Sequence, residues 1–104
     1  MKERKATRKL EEKEIIVRDD DQNYSCRLTD ISATGISVST WHFIPTYKEI
    51  AVMMEIDGKK VPMRGSVRWS IDADLARNKN GRMGILILEP PAAFLAYARK
   101  ITGK

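Results

Sequence analysis

Two short stretches of the 104-residue chain hold the side chains best suited to binding chemistry. Arg4-Lys5-Ala6-Thr7-Arg8 sets two arginines four positions apart, and Asp30-Ile31-Ser32-Ala33-Thr34-Gly35 begins 22 positions after Arg8. An arginine carries a planar fork of donors that stays charged and makes paired bonds to phosphate. Two of them at this spacing converge on one anion if the chain is turned, because full extension would part them by about 13 Å. Asp30 supplies an acceptor-only carboxylate and Ser32 a hydroxyl that both donates and accepts. Gly35 allows positive φ, or a close backbone approach where a side chain would block a ligand. Nucleophilic or metal chemistry is not expected. His42 is the only histidine, Cys26 the only cysteine, and no nucleophile–base pair or phosphate-cradling glycine loop occurs. The chain does not read as an enzyme, and no metal or cofactor is implied.

The charge supports the same two stretches. Nineteen Lys and Arg against 14 Asp and Glu give a net charge of +5. Five basic groups against Glu3 alone put +4 of it in residues 1–9, and 14 basic against 13 acidic groups leave +1 in residues 10–104. A protein gripping a long duplex spreads its phosphate contacts over a broad face. Here they are concentrated in nine residues. The longest apolar run, Ile85 to Leu88, is far too short for a membrane helix. The basic N-terminus lacks the apolar core of an export signal, and a lone cysteine suits a reducing cytoplasm.

These groups must be positioned by strands. A length of 104 residues suits one domain. Ile15-Ile16-Val17 is a β-branched run stopped by Asp19 to Asn23, and Tyr24 to Asp30 follows with Cys26 and Leu28 on one face. Gly35 to Thr40 and Glu49 to Ile56 alternate cleanly, and Asp57-Gly58 is a hairpin turn. Val61, Met63, Gly65, Val67 and Trp69 are expected on one inward face, with Arg64 and Arg68 outward on a solvated or partner surface. Arg82 to Leu88 is apolar on both faces and must be covered on both sides. Pro90-Pro91 then opens a helix over about 91–102, with Phe94, Tyr97, Ala98 and Ile101 on one side, which is expected to supply that cover. Strict alternation would put Asp30 and Ser32 on the face of Cys26 and Leu28, so a bulge is expected near Thr29–Asp30. The fold read from this pattern is mainly β: a six-stranded antiparallel β-barrel over residues 13–104 with a C-terminal α-helix. Residues 1–12 are expected to form a flexible basic arm ahead of it.

RxxxR followed by DxSxxG, on this strand order, resembles the signature of PilZ domains, bacterial receptors for the second messenger cyclic di-GMP. "GSVRW" (Gly65 to Trp69) and "GRMGILILEP" (Gly81 to Pro90) extend the resemblance over essentially the whole chain. The resemblance implies that Arg4 and Arg8 bind guanine edges and phosphates while Asp30, Ser32 and Gly35 complete the site, bordered by Lys5 and Trp69. The chemistry is consistent: a guanine edge offers paired acceptors to an arginine fork, and its own donors suit a carboxylate. The implied function is to bind cyclic di-GMP and relay the signal to an unidentified downstream protein, in motility, biofilm or exopolysaccharide control. The protein is expected to be a monomer or weak dimer that engages neither a nucleic-acid polymer nor the membrane interior. Two other readings compete: a PilZ-like interaction module that does not use the ligand, and a small nucleic-acid-binding barrel. Against the latter, single-strand binding wants several aromatics on one face, and the seven here are scattered.

Overall fold

Alternating apolar residues build six strands, and their inward faces close on one another. The computed structural model describes residues 13–103. Strands β1 (Glu14–Asp19), β2 (Gln22–Ile31), β3 (Gly35–Thr40), β4 (Glu49–Ile56), β5 (Lys59–Ile71) and β6 (Gly81–Leu88) precede one helix, α1 (Ala92–Thr102). Neighbouring strands are antiparallel, and the order β1-β2-β3-β6-β5-β4 returns on itself as a closed barrel. Ile15 and Val17, Cys26 and Leu28, Ile36 and Val38, Val52 and Met54, Val67, and Met83 and Ile85 fill the interior. Burying each of the larger aliphatic side chains contributes about 1.5–3 kcal/mol. Closure also leaves no long unpaired strand edge. Asp57 and Gly58 both take positive φ, 51° and 79°, as a two-residue hairpin of the expected kind requires. The first hairpin is tighter than its polar run suggests: Asp19 pairs with Gln22, so only Asp20 and Asp21 form the turn. No helix among the described residues is long and apolar enough to cross a membrane.

The helix forms where its periodicity predicts but does not cover the outer face of β6. Phe94 and Ala98 are fully buried, Tyr97 and Ile101 pack on the core, and the principal neighbours of α1 are β2 and β4. The helix therefore plugs one end of the barrel. Glu89 takes a positive φ of 48° and Pro91 is extended, which turns the chain over the rim instead of back along the wall. Gly103 ends the helix in the left-handed conformation, its N–H donating to the Arg99 carbonyl at 2.9 Å. The outer side of β6 is met differently. Trp69 covers Gly84, and Leu86 and Leu88 remain half-buried.

Two strands change phase by inserting a residue. In β2, Leu28 faces Val38 and Asp30 faces Ser37, so Thr29 is the extra residue of a bulge where the sequence places one. Its hydroxyl is 3.0 Å from that of Ser37. In β5, Val67 faces Ile85 and Trp69 faces Gly84, leaving Arg68 as the extra residue. That second bulge corrects the inward placement of Trp69, which is 41% exposed on the outer surface.

Truncating the plug by Phe94→Ala is expected to destabilise the barrel by about 3–5 kcal/mol, read as a lower urea midpoint. Alkali should act in the same direction. Burial pushes the Cys26 thiol and the Tyr97 phenol up from 9.0 and 10.0, so the unfolded chain releases these protons first. Hydrogen bonds to Asp19 and Asp20, at 2.5 and 3.0 Å, push the Lys48 ammonium up from 10.5. That attraction holds below 10.5 and is lost as pH rises through the folded-state value. The denaturation midpoint should therefore fall as pH rises above about 9, followed by urea titrations at stepped pH.

Candidate functional site

The bulge at Thr29 re-aims the end of β2, turning Asp30 outward while Ile31 returns to the core. Asp30 Oδ1 accepts from the Ile31 N–H at 2.9 Å, which orients the carboxylate of this exposed residue. The turn that follows is closed at its base by the Ser32 N–H donating to the Gly35 carbonyl at 2.9 Å. Within it the Ser32 hydroxyl accepts from the Thr34 N–H at 3.3 Å and lies 3.2 Å from the Thr34 hydroxyl. The Ile87 N–H donates to the Thr34 carbonyl at 2.9 Å, pinning the turn to β6. Asp30 and Ser32 are thus presented from a fixed backbone.

Gly35 serves this packing directly. It has no positive φ. A Cβ there would lie 2.3 Å from the Ile85 carbonyl oxygen, so the backbone that approaches closely is that of β6. Gly84 answers on the neighbouring strand: its Cβ would lie 2.1 Å from Trp69 Nε1, so the indole fills the space a side chain would take.

Between the two bulges the outer wall forms a concavity of about 300 Å³, lined by Asp30, Ser32, Gly35, Ser37, Arg68 and Trp69 among others. The structure thus brings together Asp30, Ser32, Gly35 and Trp69. Arg4, Lys5 and Arg8 lie outside the described residues, as does the rest of the arm 1–12. A larger groove, about 960 Å³, runs over Ile16, Met53 and Pro62 on the opposite wall. Lys13, which lines it, already donates to the Glu55 carbonyl, and Glu14 pairs with Ser25. It holds none of the described motif residues, and size alone does not make it the site.

Arg68, expected from the sequence only on an outward solvated or partner surface, also lines the concavity. The two outward arginines of β5 differ sharply. Arg64 is held between Glu49 at 3.2 Å and Glu89 at 3.1 Å. Arg68 has no carboxylate within ion-pair distance among the described residues, and its guanidinium carbon sits 5.2 Å from the centre of the Tyr47 ring. A signal for this face does exist in the sequence. Gly84 is the one outward position of a bulky strand left without a side chain, so something must lie over it. His42 belongs elsewhere, its ring 3.7 Å from that of Tyr24.

The family model described as PilZ domain matches residues 2–94, from ahead of Arg4 to the buried Phe94 of the plugging helix. No curated protein matches the chain.

The seating of Trp69 on Gly84 is testable by Gly84→Ala in a Trp41→Phe background, where Trp69 is the sole indole. The added methyl should displace the ring, giving a red-shifted emission and easier acrylamide quenching. A stability loss of about 1–3 kcal/mol should accompany it. An unchanged spectrum would show that the indole does not rest there.

Proposed function

The chain belongs to the PilZ domain family, and from that premise we propose that it is a cyclic di-GMP receptor. In this reading Arg4 and Arg8 bind the ligand against the Asp30–Gly35 turn, and the bound state is relayed to a downstream protein. PilZ is a known cyclic di-GMP-binding family. The observation that carries the reading is the exposed, backbone-fixed pair Asp30 and Ser32 beside an indole in one concavity.

Each group suits a part of the ligand. The Asp30 carboxylate accepts from the N1–H and amino donors of a guanine. The Ser32 hydroxyl donates to a phosphate oxygen or accepts from an amino group. Trp69 offers a face on which a base can stack, a contact worth about 1–3 kcal/mol in other nucleotide sites. In this reading the concavity of about 300 Å³ receives one face of the ligand, and Arg4 and Arg8, with Lys5 between them, bind the other. Arginine forks there match guanine's paired acceptors and the two phosphates.

The turn is already fixed, so the ligand loses little by ordering it. Each charge-assisted bond contributes about 1.5–3 kcal/mol, set against the entropy of fixing the long side chains that make it. The surplus points to an affinity on the order of micromolar, about −8 kcal/mol. The role is one of binding and relay, without a catalytic step.

Calorimetric titration with cyclic di-GMP tests this. Binding on the order of micromolar is expected, weakened about tenfold or more by either Arg8→Ala or Asp30→Ala. The affinity should fall with added salt less steeply than for a protein holding many phosphates. Unaltered binding in both variants would overturn the site. Absence of binding in the native chain would leave an interaction module that does not use the ligand.

A further inference from the structure

Arg68 stands at the meeting of two features that the ligand reading leaves unused. One is the bulge itself, which turns this side chain toward the concavity holding Asp30 and Ser32. The other is the segment between β3 and β4, whose Tyr47 ring receives the guanidinium at 5.2 Å. Resting on the proposed cyclic di-GMP reading, we propose that Arg68 is a further arginine of the ligand site. It is held on Tyr47 when the site is empty and drawn off it by the ligand, so that occupancy is delivered to residues 41–48.

The charge of Arg68 makes the exchange favourable. Among the described residues no carboxylate competes for it, whereas Arg64 on the same strand is engaged by two. A guanidinium over an exposed aromatic ring is a weak contact. Paired, charge-assisted bonds to a phosphate are stronger and directional. Tyr47 therefore stores the side chain near the concavity without fixing it there.

The segment that would feel the change is tied to β5 on both sides of Arg68. The Tyr47 N–H donates to the Val67 carbonyl, and the Val67 N–H donates to the Lys48 carbonyl at 3.0 Å. Beyond the bulge, the Ser70 hydroxyl donates to the Ile44 carbonyl at 2.8 Å. Tyr47 itself has φ of 67°, a conformation that bulky residues rarely adopt. Ile44 is its one fully buried anchor, while Trp41, Phe43 and Tyr47 are 48%, 61% and 73% exposed. A segment with few buried contacts and strained backbone is drawn from the less stable part of a fold. Withdrawing the guanidinium removes a contact from the strained residue itself.

Amide NMR with cyclic di-GMP as the titrant tests the proposal and separates it from the reading beneath it. In the native chain, saturation should shift the amides of Asp30 to Gly35 and also those of residues 44 to 48. Arg68→Ala should weaken binding about tenfold. At saturation the turn amides should still shift, while 44 to 48 stay at their ligand-free positions. Tyr47→Leu removes the ring that holds Arg68 and should tighten binding about twofold to fivefold. Both substituted side chains are exposed, and ligand-free spectra that match the native chain away from 44–48 and 68 verify the fold. Native-chain binding with residues 44–48 silent would overturn the proposal and leave the receptor reading standing. Arg68→Ala with unaltered affinity would do the same. No shift anywhere in the native chain would overturn the receptor reading itself.

Discussion

A strand in this barrel can keep only one face inward, and that constraint governs everything built on the wall. Leu28 and Ile31 are both buried although three positions apart. Strict alternation cannot bury both, because side chains repeat with a period of two. Inserting Thr29 resolves the conflict, and its consequence is that Asp30 points out just where the turn to β3 begins. The same device in β5 carries Trp69 out of the core at the row where β6 offers a glycine to receive it. The two insertions sit on strands flanking the β3–β6 pair. What lies between them is an outer wall floored by Gly35, Ser37 and Gly84, too small-sided to fill itself.

The two insertions were not equally legible in the sequence. At β2 the inward phase would have carried Asp30 and Ser32 into the core, and a carboxylate cannot be buried there unpaired without a large cost. The pattern exposes its own break. At β5 the inward phase carries Trp69, which a core accepts, so the alternation from Val61 looks unbroken. An apolar residue hides a phase change that a charged one reveals. The helix shows a related limit. The spacing of Phe94, Tyr97, Ala98 and Ile101 states which face is buried, but periodicity is local and does not state what buries it. The end of the barrel was open and the outside of β6 was not, since Trp69 had already covered Gly84.

Gly35 is a further case, where packing supplies a reason for the residue that the sequence did not suggest. Glycine at the end of a DxSxxG turn invites an explanation from the ligand. The backbone offers another, because the Ile85 carbonyl occupies the place of its Cβ. That close approach lets the Thr34 carbonyl reach the Ile87 N–H, which fixes the turn carrying Asp30 and Ser32. The glycine thus acts on the candidate site through strand packing, and the hairpin glycine Gly58 acts through positive φ. One residue type meets two different physical demands in the same chain.

Charge required the fold most of all. Composition reports nineteen basic side chains but not which of them are already engaged. Register decides that. Arg64 faces Ala51 on one neighbour and Leu88 on the other, within reach of Glu49 and Glu89, and its charge is returned to the barrel. Arg68 follows four positions later with the same outward pattern in sequence. Because it is the bulged residue, it has no cross-strand partner in the β6 register. With no carboxylate in ion-pair range among the described residues, its charge is left to solvent and salt, which screen it at little cost. Placed beside a concavity that also presents a carboxylate and an indole, it adds positive charge to the proposed site. The bulge therefore couples two effects that a regular strand would keep apart: it exposes an aromatic face and leaves the preceding arginine outside the β6 register. A wall that must close on itself gains, at the residue it cannot accommodate, the charge and the aromatic surface on which the proposed ligand site draws.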